Sequence, residues 1–308
     1  MKKNNPLILN IYKPAGPSSQ DVIRNFKPRL KSLGKVGHFG TLDPFAEGVL
    51  MLGISGGQRL NEFIHECLPK TYLAVGILGA ESDTGDLTSP LTQEDNSEYL
   101  KNVISSFEMN FIEKNLQEKF LGDYYQAPHK YSAAKFDGKA LHKWAREGVE
   151  IKKEKKRRYI YSLKVIKYEF PKIYIQFSVS SGTYIRTLFS DCAKQLGTLG
   201  VLESLIREKV GGCTIDNALK EKDWCIENLP FLNVDEVLPF KSVVFSSKEL
   251  HLYRNGVKLK YERAKETLPG ELKENPYFWV RDELGNIYGL CELSSDTSEF
   301  VSRVNFAL

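Results

Sequence analysis

Residues 37–60 read GHFGTLDPFAEGVLMLGISGGQRL. Gly37, Gly40 and Gly48, together with His38 and the carboxylate of Asp43, lead into an apolar run. Glycines this close together imply backbone in unusual conformations, or backbone that a ligand approaches closely. Asp43 on such a turn reads in two ways. It is a reactive group, or it is the cap of a helix with Pro44 at the first helical position.

Outward from this stretch, residues 7–12 (LILNIY) read as a strand followed by a turn at KPAGPSS. Ser18 and Asp21 have capping-box spacing for a helix carrying Val22, Ile23 and Phe26. Residues 72–78 (YLAVGIL) predict a strand that ends in the acidic loop ESDTGDLTSP, and residues 97–119 predict a polar helix. Alternation of Ile173, Ile175, Phe177 and Val179 with polar residues predicts a strand over 173–179. After SSGT the period becomes helical over 184–196, with Gly197 as the stop. Beyond about residue 230 the text turns to short strands and turns, with turn signals at Asn255-Gly256 and Leu284-Gly285-Asn286. That pattern predicts a small β-rich C-terminal module.

The chain has 308 residues, 42% hydrophobic and 27% charged, the composition of an ordinary globular protein. No apolar run approaches the roughly 18–20 residues that span a bilayer. MKKNNPLILNIY is broken by Pro6 and Asn10 and reads as an entering strand rather than a signal peptide. Cys67, Cys192, Cys213, Cys225 and Cys291 lie far apart with no CxxC pair, which argues against a zinc site or disulfide framework and fits a reducing cytoplasm. Net charge is +4, but residues 1–60 hold nine Lys/Arg against three Asp/Glu, and residues 152–158 read KKEKKRR. Residues 81–100 hold six acids and no base. Local basic patches suit a polyanion, although KKEKKRR alone also reads as a solvated face.

Arg186 falls in the first turn of the predicted 184–196 helix, where the dipole disfavours a cation. A neighbouring anion would account for it, and Asp43 as that partner would be oriented and kept ionised. Tyr72 alone reads as a half-buried strand aromatic, and His38 as a hydrogen-bonded loop residue. No Ser/His/Asp order, Walker loop, GxGxxG or HExxH is present, which leaves a carboxylate, a tyrosine and arginines for chemistry.

Read together, these motifs resemble the TruB-type tRNA pseudouridine synthases. The KPxGxTS element is matched by Lys13, Pro14, Gly16 and Ser19, with Ser18 in place of Thr. GHxGTLDPxAxGVL is matched from Gly37 to Leu50, KxY by Lys70 and Tyr72, and GTYIRTL by residues 182–188. PxYSAxKxxGxxxxxxAR resembles residues 128–146, including Tyr131, Ser132, Ala133, Lys135, Gly138 and Arg146, and LxR is matched by Leu205 and Arg207. His129, Lys130 and His142 depart from the pattern, and the acidic loop ESDTGDLTSP lacks a glycine after its second Asp.

The resemblance implies an α+β pseudouridine synthase fold over 1–235, with a mixed, mainly antiparallel sheet and an RNA-gripping insertion at about 124–158. It implies a β-barrel-like PUA module over 236–308. Asp43 would be the essential carboxylate, Arg186 its orienting partner and Tyr72 the residue against the base. Attack on C1′ and proton abstraction from C2′ both fit Asp43. His38, Lys13, Arg59, Lys70, Tyr131, Lys135, Arg146, Tyr184 and Arg207 would contact RNA, with His38 entering the loop that the flipped base vacates. The substrate would be uridine 55 of the tRNA T loop, turned over by a cytoplasmic monomer without cofactor, metal, membrane or protein partner. Two rival readings are a guide-RNA-dependent H/ACA subunit and a non-catalytic tRNA-binding or chaperone protein.

Overall fold

The computed structural model describes residues 6–128, 135–140, 144, 147, 149, 154–224, 229–260, 265–267 and 275–306. In chain order the first part holds β1 (Leu7–Lys13), α1 (Ser19–Phe26), β2 (Val36–His38), β3 (Glu47–Ile54), α2 (Asn61–Cys67) and β4 (Lys70–Leu78). A short hairpin follows, β5 (Ala80–Ser82) and β6 (Leu91–Glu94), then α3 (Glu98–Asn102), α4 (Met109–Phe120) and β7 (Gly122–Gln126). After the two-residue strands β8 (Lys135–Phe136) and β9 (Lys139–Ala140) come β10 (Lys156–Glu169), β11 (Lys172–Val179), α5 (Ile185–Gln195), β12 (Gly200–Val210) and β13 (Cys213–Thr214).

These strands build one sheet of order β1-β3-β12-β4-β11-β10-β7, with β2 on β3 and β13 on β12. Its pairs are antiparallel except β3–β12, which runs parallel at Ile206↔Glu47 and Arg207↔Gly48. The predicted alternation holds: Ile173, Ile175, Phe177 and Val179 face a core that α4 and α5 cover. The expected single helix over 97–119 is broken, because Phe107 and Glu108 are extended. The break lets Ile104 and Ile112 both reach that core. The capping box at Ser18 and Asp21 forms as expected. Asp43-Pro44 does not start a helix: Asp43 accepts from the Ala46 amide at 3.1 Å in a turn that feeds β3. The helical reading fails because the apolar run pairs with β1 over seven residues, Leu7↔Ile54 to Lys13↔Gly48.

The C-terminal part holds α6 (Val234–Val237), β14 (Lys241–Val244), α7 (Ser247–Arg254), β15 (Leu259–Lys260), β16 (Lys265–Thr267), β17 (Tyr277–Arg281), β18 (Ile287–Leu293) and β19 (Glu299–Asn305). Its six strands form a curled half-barrel of order β15-β19-β18-β17-β14-β16. Helix α7 is an element that reading by turns misses, although Ser246 and Glu249 form a capping box at its start. Trp279, Leu290, Val304 and Phe306 of this part share one core with Phe39, Met51, Phe63 and Ile64 of the first sheet. Tyr277 packs edge-on against Phe63 with ring centroids 4.9 Å apart, and Arg303 pairs with Glu62 at 3.1 Å. Cys67, Cys192, Cys213 and Cys291 are free thiols, and Cys225 lies outside the described residues. No helix among the described residues is long and apolar enough to cross a membrane.

Candidate active site

The loop carrying Asp43 joins β2 to β3 and is held from behind by the KPAGPSS element. Lys13 is fully buried, and its ammonium donates to the carbonyls of Pro14 (2.9 Å), Pro44 (3.1 Å) and Ala46 (2.6 Å). Ser19 accepts from the Leu42 amide at 2.9 Å and donates to the Leu42 carbonyl at 3.1 Å, while the Gly16 amide bonds Pro44 at 2.8 Å. Lys13 is among the residues expected to contact RNA; here an ammonium whose three donors are spent on carbonyls is a strut for the Asp43 turn. Burial lowers its pKa to about 8.

Arg186 sits in the first turn of α5, where Tyr184 and Gln126 exchange two hydrogen bonds, Tyr184 N to Oε1 (2.8 Å) and Nε2 to Tyr184 O (2.9 Å). Its Nε lies 2.9 Å from Asp43 Oδ2, and the pair is unevenly exposed, 5% for Arg186 against 37% for Asp43. Nη1 donates to Thr84 O at 2.7 Å and reaches Asp86 Oδ2 at 3.4 Å. Asp86, buried in the acidic loop, is a residue the sequence reading passed over. Its Oδ1 accepts from Thr84 Oγ1 (2.8 Å), from the Thr88 amide (3.0 Å) and from Thr88 Oγ1. One guanidinium therefore serves two carboxylates, and the anion expected beside Arg186 is a pair. Burial pushes the Asp43 carboxyl above the usual range; Arg186 pulls it down, and Asp86 pushes it up again.

Asp43 and Arg186 open onto a cavity of ≈290 Å³ that is also walled by Tyr72, Tyr184, Leu205 and Gly182. Tyr72 is buried on β4 between Phe177 and Arg207 of its two neighbours. The volume is at the small end of ligand pockets, room for one nucleoside but not for a run of them. Of the three glycines in the signature only Gly40 lines the cavity. Gly48 serves the sheet instead: its φ is +111°, and a Cβ there would stand 2.2 Å from the carbonyl oxygen of Arg207. A larger cavity of ≈600 Å³ lies away from Asp43, and Arg281 and Asp235 in its lining pair with each other.

The remaining predicted contacts divide by burial. Arg207, also expected to contact RNA, is buried, donating Nε to Val49 O (2.7 Å) and Nη2 to Gly40 O (3.1 Å), so it braces the Gly40 turn. Lys70 is also buried, bonded to Ser181 Oγ at 2.8 Å and lining the cavity, so only a group inside the cavity meets it. Burial, with Arg207 nearby, pushes Lys70 down to about 7. Ser181 Oγ also lies 2.5 Å from Nδ1 of His65, which burial and the neighbouring Lys70 push down to about 4, leaving a neutral imidazole. Neither Ser181 nor His65 carried a sequence signal. His38 is half-buried on β2, with burial lowering its pKa, and Arg59 is exposed and bonded to the Asn305 carbonyl of β19. Tyr131 and Arg146 lie outside the described residues, and of Lys135 only the backbone, in β8, is described. Among the described residues no three His, Cys, Asp or Glu side chains converge as a metal site requires.

Residues 27–185 match the family model for the TruB family pseudouridylate synthase N-terminal domain, and this match holds the Asp43 turn, Tyr72 and Asp86. The chain belongs to the TruB family. It is 35% identical over 299 residues to the tRNA pseudouridine synthase B of Thermotoga maritima, covering 94% of this chain and 91% of that protein. With the protein of the same name from Clostridium acetobutylicum it shares 33% over 281 residues, covering 90% of this chain and 93% of that one. Solved structures resemble it in fold. A Cbf5-Nop10-Gar1 complex superposes with a TM-score of 0.69 at 19% identity, covering 98% of this chain and 83% of that one. An H/ACA RNP bound to a substrate RNA containing 2′-deoxyuridine gives 0.68 at 17%, covering 98% and 84%. The TruB family's enzymes are isomerases, and the α+β architecture with its mixed sheet is that of pseudouridine synthases.

Proposed function

We propose that this chain is a stand-alone tRNA pseudouridine synthase that isomerises uridine 55 of the T loop, with Asp43 as its essential carboxylate. The observation that carries the reading is the part-exposed Asp43 carboxylate, aimed over a nucleoside-sized cavity by Arg186 at 2.9 Å with Tyr72 in the wall. Two relatives named tRNA pseudouridine synthase B, alike over nine-tenths of the chain, support tRNA as the substrate class.

The reaction breaks the N1–C1′ bond, turns the uracil, joins C5 to C1′ and moves the C5 proton to N1 by way of solvent, so no group enters or leaves. Its requirements are an ionised carboxylate at the sugar, a surface that holds the detached base and a route for the C5 proton. Asp43 acts at the sugar; Tyr72 packs on the base and receives the proton directly or through water. The target base leaves its stack to enter, at a cost of a few kcal/mol that stacking and backbone contacts offset. The C-terminal half-barrel is read as a PUA-like RNA-binding domain from about residue 236.

The test is tritium release from a T-arm minihelix labelled at C5, with the purified chain alone. Release is expected from the natural chain, and Asp43→Asn should abolish it while minihelix binding stays within a few fold. No release without a guide RNA or accessory protein overturns the stand-alone reading, and normal turnover by the variant overturns the role of Asp43.

A further inference from the structure

The basic run at 152–158 divides by face once it enters β10. Arg157 stands opposite Tyr125 of β7, Arg158 opposite Tyr124 and Tyr159 opposite Asp123. Side chains alternate along a strand, so Arg157 shares the outer face with Asp123, and Asp123 Oδ1 takes its Nε at 2.8 Å. Arg158 points the other way, toward the loop at Ser181 and Gly182 that edges the catalytic cavity. Its guanidinium lies flat on Gly182: a Cβ there would meet Cζ, Nη1 and Nη2 each at 3.1 Å. Gly182, with φ +79°, is itself part of the cavity wall.

Among the described residues Arg158 is short of acceptors: Nη1 donates to Ser181 O at 3.3 Å, and the buried Nε has no partner. Among the described residues no carboxylate pairs with it, whereas Arg157 and Arg281 each have one and Arg186 has two. A permanently charged fork with five donors and, among the described residues, one long bond to a neutral carbonyl calls for an anion. On the proposed reading, the target nucleotide brings that anion. Its base and sugar enter a cavity of ≈290 Å³ that has no room for the flanking phosphodiesters, which therefore stay at the rim. The geometry points to Arg158 as the residue that grips a phosphodiester next to the target uridine, lying flat across Gly182 to do so. This inference rests on the enzyme reading above and assigns to one arginine of the run a role that Arg157 does not share.

The test is equilibrium binding of T-arm minihelices in the Asp43→Asn background, where no turnover intervenes. Charge-neutral methylphosphonates replace, one at a time, the phosphodiesters on the 5′ and 3′ sides of the target uridine. Arg158→Gln should weaken binding of the unmodified minihelix about tenfold and lower the salt slope by about one. Arg157→Gln should stay within twofold. One of the two methylphosphonates should cost the Arg158 protein about tenfold and cost Arg158→Gln nothing further. Arg158→Lys, which keeps the charge and helps preserve folding, should retain the salt slope with part of the affinity. Unchanged affinity and slope in Arg158→Gln, or equal sensitivity of both proteins to each methylphosphonate, overturns the inference. Absence of turnover by the natural chain overturns the enzyme reading instead, and that result is read separately.

Discussion

Asp86 reaches Arg186 on the side away from Asp43, its Oδ2 lying 3.4 Å from Nη1 while Asp43 Oδ2 takes Nε at 2.9 Å. The arginine is thus fixed at both ends, and the charge of Asp86 also acts on Asp43.

That coupling predicts a pH dependence. On the proposed reading Asp43 acts ionised, and its pKa is raised above the ordinary 3.8 by burial, with Arg186 opposing the rise and Asp86 adding to it. Turnover should therefore be full above this raised pKa and fall as pH drops through it. Asp86→Asn removes a charge that raises the pKa, so the acid limb of kcat/KM should move to lower pH. The plateau should fall about tenfold as the guanidinium loses one anchor, since a hydrogen bond to a charged group contributes about 1.5–3 kcal/mol and ~1.4 kcal/mol is tenfold. A pH–rate profile whose acid limb stays put or moves up would contradict the coupling.

Arg186→Lys replaces a planar fork with one compact ammonium, which cannot span the separate positions from which Nε reaches Asp43 and Nη1 reaches Thr84 and Asp86. Single-turnover rates should fall by about 10–100-fold, the equivalent of one lost charge-assisted bond. An unimpaired rate would show that Asp43 is aimed without its partner.

Much of this site was legible, and the illegible part has a physical pattern. Arg186 stood out because a cation in the first turn of a helix is locally unfavourable, and local conflicts are visible in a string of residues. The strand over 173–179 and the capping box at Ser18 are likewise local periodicities. Asp86 was missed because its meaning comes from a residue 100 positions away. The strut role of Lys13 is illegible because a lysine is ordinarily solvated, and only the three carbonyls around it reveal that role. Asp43-Pro44 misled for a related reason: its local preference for a helix start yields to the seven-residue pairing of β3 with β1.

Lys13→Met separates the strut from an RNA contact. Losing the bonds to Pro44 and Ala46 should lower kcat about tenfold or more by loosening the Asp43 turn. Minihelix affinity and its salt slope should stay within twofold. A slope lowered by about one with kcat intact would return Lys13 to the RNA-binding surface.

Gly48→Ala tests the sheet contact behind the signature. At φ +111° with a backbone oxygen 2.2 Å from the added Cβ, the cost should be at least about 1–3 kcal/mol, read as a lower thermal unfolding midpoint. An unchanged midpoint would mean that the β3–β12 contact is slack enough to absorb a methyl group.

Phe39 lies between His38 and Gly40, and its ring is packed in the core that Trp279, Leu290 and Val304 complete. The C-terminal half-barrel is therefore a buttress as well as a candidate RNA surface. A chain cut before β14 would bare the back of the turn that precedes Asp43. Loss of catalysis on such a cut would then report a collapsed wall rather than a lost grip on RNA. Point changes on the outer faces of β17–β19 are the way to probe that half without disturbing the carboxylate.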